Sequence, residues 1–157
     1  MSNPTSTRVA AGLIGVALAA EPSYAATAPA FRPAVEEHIA AIARRDLPAL
    51  IPTLTRGAAL TMIMPNGVAL EARQQYVDFH RNWFATPDEG RLDAEIVRTV
   101  ESPALAHALI RYRYSSRDPA GATQGITSWL ALTFALEDGR WRLVFDQNTA
   151  IVTKPGT

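Results

Sequence analysis

Two side chains in this sequence have both the chemistry and the placing to move a proton, Asp146 and His80. Asp146 stands near the end of the stretch Gly139–Thr149, GRWRLVFDQNT. Glu137, Asp138 and Gly139 supply a tight turn into it, with glycine free to take a positive φ. Period two places Trp141, Leu143 and Phe145 on one face of the strand, and Arg142, Val144, Asp146 and Asn148 on the other. A carboxylate and an amide therefore end a strand that is otherwise core. An apolar site raises a carboxyl pKa toward the working range, which makes Asp146 a candidate general acid or base. The alternative is an aspartate paired with an arginine or capping a turn.

His80 falls inside an apolar helical arc, with Tyr76 and Trp83 one turn to either side. From there it could shuttle a proton or bind a ligand, with Tyr76 as acid–base partner. The alternative is a core-edge histidine with a single hydrogen-bond partner. Tyr76, Trp83, Tyr112 and Trp129 are candidate ligand-binding residues, their rings forming apolar walls and their polar tips orienting the ligand. They could equally be plain core. Met62 and Met64 read as adaptable lining or as filler. His38 lies beside a helical stripe and is expected on the surface. His38, His80 and His107 sit on separate elements, so no metal site is expected. With no glycine-rich phosphate loop or nucleophile elbow, no cofactor is expected either.

Composition narrows the class. The chain has 157 residues, 48% hydrophobic and 19% charged, which suits one globular domain. Fifteen basic residues balance fifteen acidic ones, so neither nucleic acid nor an anionic membrane is an expected partner. The absence of cysteine excludes disulfides, thiol nucleophiles and thiolate metal sites. Residues 1–25 read as an export signal: Arg8, the apolar run VAAGLIGVALAA, then Ser23-Tyr24-Ala25 with small residues where a signal peptidase reads. The run is too short to span a bilayer, which takes about 20 residues. A periplasmic or secreted protein is expected, with no membrane contact after cleavage. The alternative is a cytoplasmic protein, and an uncut Met1 or Ser2 terminus in the native host would rule out export. Residues 26–30 read as a flexible leader, 31–151 as the domain and 152–157 as a disordered tail.

The elements that must position these residues follow in order. Val35, Ile39 and Ile42 mark a first helix with Pro33 in its opening turn, and Asp46 caps a second, short one. Ala58–Met64 and Val68–Leu70 read as a short hairpin around Pro65-Asn66-Gly67. Glu71–Ala85 is the clearest helix, with Ala72, Tyr76, Phe79 and Trp83 in one arc. Arg91–Glu101 alternates Leu92, Ala94, Ile96 and Val100 against Asp93, Glu95, Thr99 and Glu101. Ala104–Tyr114 follows, and antiparallel pairing would set Asp93 and Glu95 opposite Arg113 and Arg111. Gly125–Leu136 is nearly all apolar or small, as for a strand buried on both sides. The strand at Trp141 closes the sheet. The fold class is therefore α+β, a curved antiparallel sheet wrapped around a long helix with a conical cavity.

This order resembles the SnoaL-like or nuclear transport factor 2-like superfamily. Arg45-Asp46-Leu47, Met64-Pro65-Asn66-Gly67, Tyr76–Phe84 and Gly139–Val144 leading to Asp146 carry the likeness, over about residues 31–151. The superfamily includes ketosteroid isomerases, polyketide cyclases, dehydratases and epoxide hydrolases, and fold alone does not choose among them. The isomerases hold an aspartate base just before a proline in the first hairpin. Met64 occupies that place here, and a thioether cannot take a proton. Cyclases of this type keep an aspartate near the end of the last strand, which implies a role for Asp146. Kinase association domains carry paired histidines there, where this chain has Phe145 and Gln147. The resemblance also implies a homodimer through the outer face of the sheet. The expectation is a small apolar molecule bound in the cone. Any chemistry would be proton transfer or water addition and elimination. The alternative is a non-catalytic binding or interaction module.

Overall fold

The computed structural model describes residues 28–87, 90–117 and 120–151. The expected signal at 1–25 and tail at 152–157 lie outside the described residues. Of the leader, Pro29 is tied down: its carbonyl accepts from the Trp141 indole N–H at 2.7 Å. A buried indole N–H needs an acceptor, and the Pro29 carbonyl supplies it.

Helix α1 spans Phe31–Ala43. Phe31, Val35, His38 and Ile42 recur at helical spacing and all four are buried. His38 is thus fully enclosed, where the usual exposure of histidine suggested the surface. It occupies the centre of the stripe, and its two ring nitrogens find partners there. Arg45, at φ 54°, ends the helix, and the Asp46 carboxylate accepts the Ala49 N–H at 3.0 Å to start α2, Leu47–Leu50. Such a cap is worth about 1 kcal/mol. A 3-10 turn, Ile51–Thr53, follows. The Gln75 side chain reaches back to the N–H groups of Glu71 and Ala72 and so opens α3, Arg73–Phe84. Tyr76, Val77 and His80 are its buried residues.

Six strands form one sheet: β1 Ala59–Ile63, β2 Ala69–Ala72, β3 Arg91–Glu101, β4 Leu105–Arg117, β5 Thr123–Glu137 and β6 Arg140–Ala150. Their spatial order is β2-β1-β6-β5-β4-β3. Every pairing is antiparallel except β1 with β6, which is parallel, so the sheet is mixed rather than wholly antiparallel. The β1–β2 hairpin is separated from the β3–β6 meander by α3. That crossover leaves β1 free to lie beside β6 in the same direction. Asp93 faces Arg113 and Glu95 faces Arg111 across β3 and β4, in the register that the charge pattern predicts.

Two bulges decide which side chains look inward. On β3 the register slips between Ile96 and Arg98, so Val97 is the extra residue. Leu92 and Ile96 stay half-buried, but Val100 turns out to solvent, against the simple alternation. On β6, Thr133 opposes Phe145 while Phe134 opposes Leu143, so Val144 is extra. Trp141 and Leu143 face inward before it, and Asp146 after it, all of them buried. The unbroken period of two set Asp146 opposite to Trp141 and Leu143. The bulge puts the carboxylate on their side of the sheet.

Along β5, Ser128, Leu130, Leu132 and Phe134 are buried, but Trp129 between them is 36% exposed. In a single chain β5 is therefore covered on one face only, which corrects the two-sided burial inferred from composition. The inner face packs on α1. Phe31 meets Phe134 and Trp141 edge-on, with ring centroids 5.3 and 5.4 Å apart. Arg142, buried, donates to the Pro52 carbonyl at 2.6 Å and lies 3.8 Å from Glu137, which pins the 3-10 turn to β6. One end of the cone is thus filled. The other end lies at the start of β3 and β5 and the end of β4, and there it stays open. No described helix is long and apolar enough to cross a membrane.

Candidate functional site

The open end of the cone encloses a cavity of about 330 Å³. Phe79, His80 and Trp83 come from one face of α3, because residues three and four apart share a face. Met62 and Met64 line it from the hairpin, Tyr112 from β4, and Asp146 and Asn148 from β6. Leu92 and Ile126 stand at the rim, where Ile126 is half exposed. The lining is overwhelmingly apolar, and among the described residues no lysine or arginine contributes to it.

The polar groups are concentrated around Asp146. It lies beside Met62 on β1 and Leu132 on β5, so both flanks of its strand are apolar. Burial pushes its carboxyl up to about 7 from the ordinary carboxylate value, with the Tyr76 hydroxyl opposing. The Asn148 amide donates to Asp146 Oδ1 at 2.9 Å, and the Tyr112 hydroxyl donates to Asn148 Oδ1 at 2.9 Å. Burial likewise raises the Tyr112 phenol. The Tyr76 hydroxyl lies 3.3 Å from Asp146 Oδ2 and 3.3 Å from His38 Nε2. His38 Nδ1 lies 2.7 Å from Thr53 Oγ1.

His80 is held differently. Its Nδ1 lies 2.9 Å from the Tyr76 carbonyl, which can only accept, so Nδ1 carries the hydrogen. Nε2 keeps a lone pair for the cavity. Burial lowers the His80 pKa to about 4, the Tyr76 carbonyl opposing, so the ring is a neutral acceptor near pH 7.

The sequence candidates separate into three groups. Asp146, His80, Trp83, Tyr112, Met62 and Met64 come together around one cavity. Tyr76 does not reach it. Fully buried, it stands behind Asp146, so its hydroxyl supports the carboxyl rather than a ligand. Its ring stacks on His80 with centroids 4.3 Å apart, but the expected acid–base contact of hydroxyl and imidazole is replaced by the links to Asp146 and His38. Trp129 is on the opposite face of β5 from Leu130, which lines the cavity, so it is no wall. Alternation along β5 decides this. His38 was missed as a member of the site. The spacing Phe31-Val35-His38-Ile42 carried the signal. Among the described residues, no group of three histidine or acidic side chains could hold a metal ion.

A family model for the SnoaL-like domain matches residues 35–144. The chain belongs to the SnoaL-like domain family. Solved structures of the same fold include a ketosteroid isomerase-like protein from Erwinia carotovora atroseptica, 18% identical, with a TM-score of 0.65 over 78% of this chain and 94% of that one. A dehydratase candidate of the nuclear transport factor 2-like family from Streptomyces avermitilis is 14% identical, with a TM-score of 0.69 over 78% and 94%. A nuclear transport factor 2-like superfamily protein from Salmonella enterica is 13% identical, with a TM-score of 0.65 over 78% and 89%. At these identities the likeness is one of fold. No curated protein sequence matches this SnoaL-like chain significantly.

Proposed function

We propose that this SnoaL-like domain binds a neutral, largely apolar small molecule in the cone and exchanges a proton with it through Asp146. The observation that carries the reading is an apolar cavity whose polar groups converge on one buried carboxyl with a pKa of about 7. Such a group can give or take a proton near neutral pH, as proton transfer or water addition and elimination would require. His80 Nε2 accepts a hydroxyl or N–H of the ligand, Tyr112 and Asn148 fix the polar end, and Trp83 walls the apolar body. An anionic ligand is disfavoured, because no lysine or arginine is among the described lining residues; Arg45 lies outside the lining and donates to the Thr86 carbonyl and to the hydroxyl of Tyr114, a lining residue.

Charge discrimination tests this. By calorimetry at pH 8, 2-naphthol should bind roughly 100-fold more tightly than 2-naphthoate, the cost of stranding a carboxylate in an apolar cavity. Equal affinity for the two, or binding of neither, overturns the reading.

The second reading is a homodimeric interaction module, and one observation favours it. Val100, Leu105 and Trp129 expose apolar side chains on the outer side of the sheet. A second copy covering that face should give twice the monomer mass by light scattering at micromolar concentration. A monomer there removes it.

A further inference from the structure

The donors and acceptors behind Asp146 can be assigned one by one. The Thr53 hydroxyl donates to the Leu50 carbonyl at 2.7 Å. Its only hydrogen is committed, so Thr53 Oγ1 is an acceptor toward His38, and His38 Nδ1 must carry hydrogen. The fully buried ring is neutral, its pKa lowered to about 3 by burial and by His80. His38 Nε2 is then a bare acceptor facing the Tyr76 hydroxyl. Tyr76 has one hydrogen and two claimants, His38 Nε2 and Asp146 Oδ2.

If Asp146 is ionised, Tyr76 donates to it and His38 Nε2 is left unfilled in the core. If Asp146 is protonated, every group is satisfied. Asp146 Oδ2–H donates to Tyr76, Tyr76 O–H to His38, His38 Nδ1–H to Thr53, and Thr53 O–H to Leu50. Oδ1 meanwhile accepts from Asn148. A buried acceptor left empty is costly, so the chain as a whole favours the acid form.

We propose that Thr53, His38 and Tyr76 form a directed hydrogen-bond chain that keeps a proton on Asp146. The Tyr76 hydroxyl swings from His38 to Asp146 when that proton passes to a ligand. The Asp146 O–H leaves Tyr76 and turns to the ligand; the bond then breaks, its electron pair stays on Oδ2, and the proton goes to the ligand atom. Tyr76 then gives the new carboxylate a hydrogen bond. His38 and Tyr76 are positioning residues and Asp146 is the acid. Of the titratable groups around Asp146, Tyr76 from α3 touches it, Tyr112 from β4 interacts with it electrostatically, His38 from α1 reaches it through Tyr76, and His80 from α3 shares the cavity lining. β1 and β5 present Met62 and Leu132. The inference deepens the acid–base reading of the cavity and is tested without ligand, so its failure is separate from failure of the naphthol test.

The test is a nuclear magnetic resonance titration of the full chain with labelled aspartate and histidine. The His38 Nε2 resonance should move with the same midpoint as the Asp146 carboxyl, although His38 gains no proton. In Tyr76→Phe it should stay fixed. His38→Phe frees the Tyr76 hydroxyl for the carboxylate, so the acid constant of Asp146 should rise about tenfold. In a Tyr76→Phe background the same substitution should change nothing. A stationary Nε2 resonance in the native protein overturns the proposal, and that measurement decides alone if His38→Phe does not fold. A fall in the acid constant, or an equal change with and without Tyr76, overturns it too.

Discussion

Lowering the pH from 6.5 to 4 should cost the fold about 1.4 kcal/mol per pH unit, the difference between two histidines and one aspartate. The folded pKa values of His38 and His80 are depressed to about 3 and about 4. In that window the unfolded chain, near 6.5 for each histidine, binds more protons than the folded one. Their stabilisation is present above pH 6.5 and is lost as pH falls, at about 2.7 kcal/mol per unit for the pair. Asp146 works the other way, because its folded pKa is raised to about 7. Above its unfolded value the unfolded chain releases the proton first, so stability falls as pH rises from about 4 to 7. One slope cancels half of the other. Urea unfolding across this range should therefore give maximum stability near pH 6.5. A domain of this size has about 5–15 kcal/mol to lose, so the acid side should lead to unfolding. A flat profile between pH 4 and 6.5 would show that the two histidines are not enclosed as described.

Asp146→Asn should stabilise the protein at pH 8 by roughly 4 kcal/mol and leave it unchanged near pH 4. The amide resembles the protonated carboxyl. It can donate toward Tyr76 and accept from Asn148, yet it never carries a charge into the apolar flank between Met62 and Leu132. The variant's acid slope should double, to about 2.7 kcal/mol per pH unit, because nothing then opposes the histidines. A proton-transfer activity would be lost in the same variant, which is the usual exchange of stability for function at a buried ionisable site. Denaturant midpoints at pH 4 and pH 8 check both halves. Equal stability of variant and native protein at pH 8 would mean that Asp146 is an ordinary, solvated carboxylate.

Much of the scaffold was legible because its signals are local. The α3 stripe, the cap at Asp46 and the charge pattern across β3 and β4 each depend on residues a few places apart or on one register. The closing strand was harder. Its alternation is regular up to Leu143, and nothing in Val144 marks it as an extra residue, since bulges are set by pairing with the neighbouring strand. Asp146, the candidate on that strand, does line the cavity, but from the opposite face to the one that alternation assigned it. Trp129 misled for a related reason: an apolar composition says that a strand is buried, not which of its sides is. His38 shows the opposite error. Its spacing marked the core, but the general exposure of histidine argued against it, and only a hydroxyl partner at each end of the ring makes burial tolerable.

The slip at Val144 has a wider meaning for reading relatives of this chain. Everything beyond it is displaced by one position against the partner strand, so a single gap placed wrongly would exchange Asp146 with Phe145 or Gln147 in any alignment. Correspondence along this strand must be counted backward from its end, not forward from the turn at Gly139. Strand length, as much as the choice of letters, determines whether such a hollow presents an acid or a hydrocarbon to its guest.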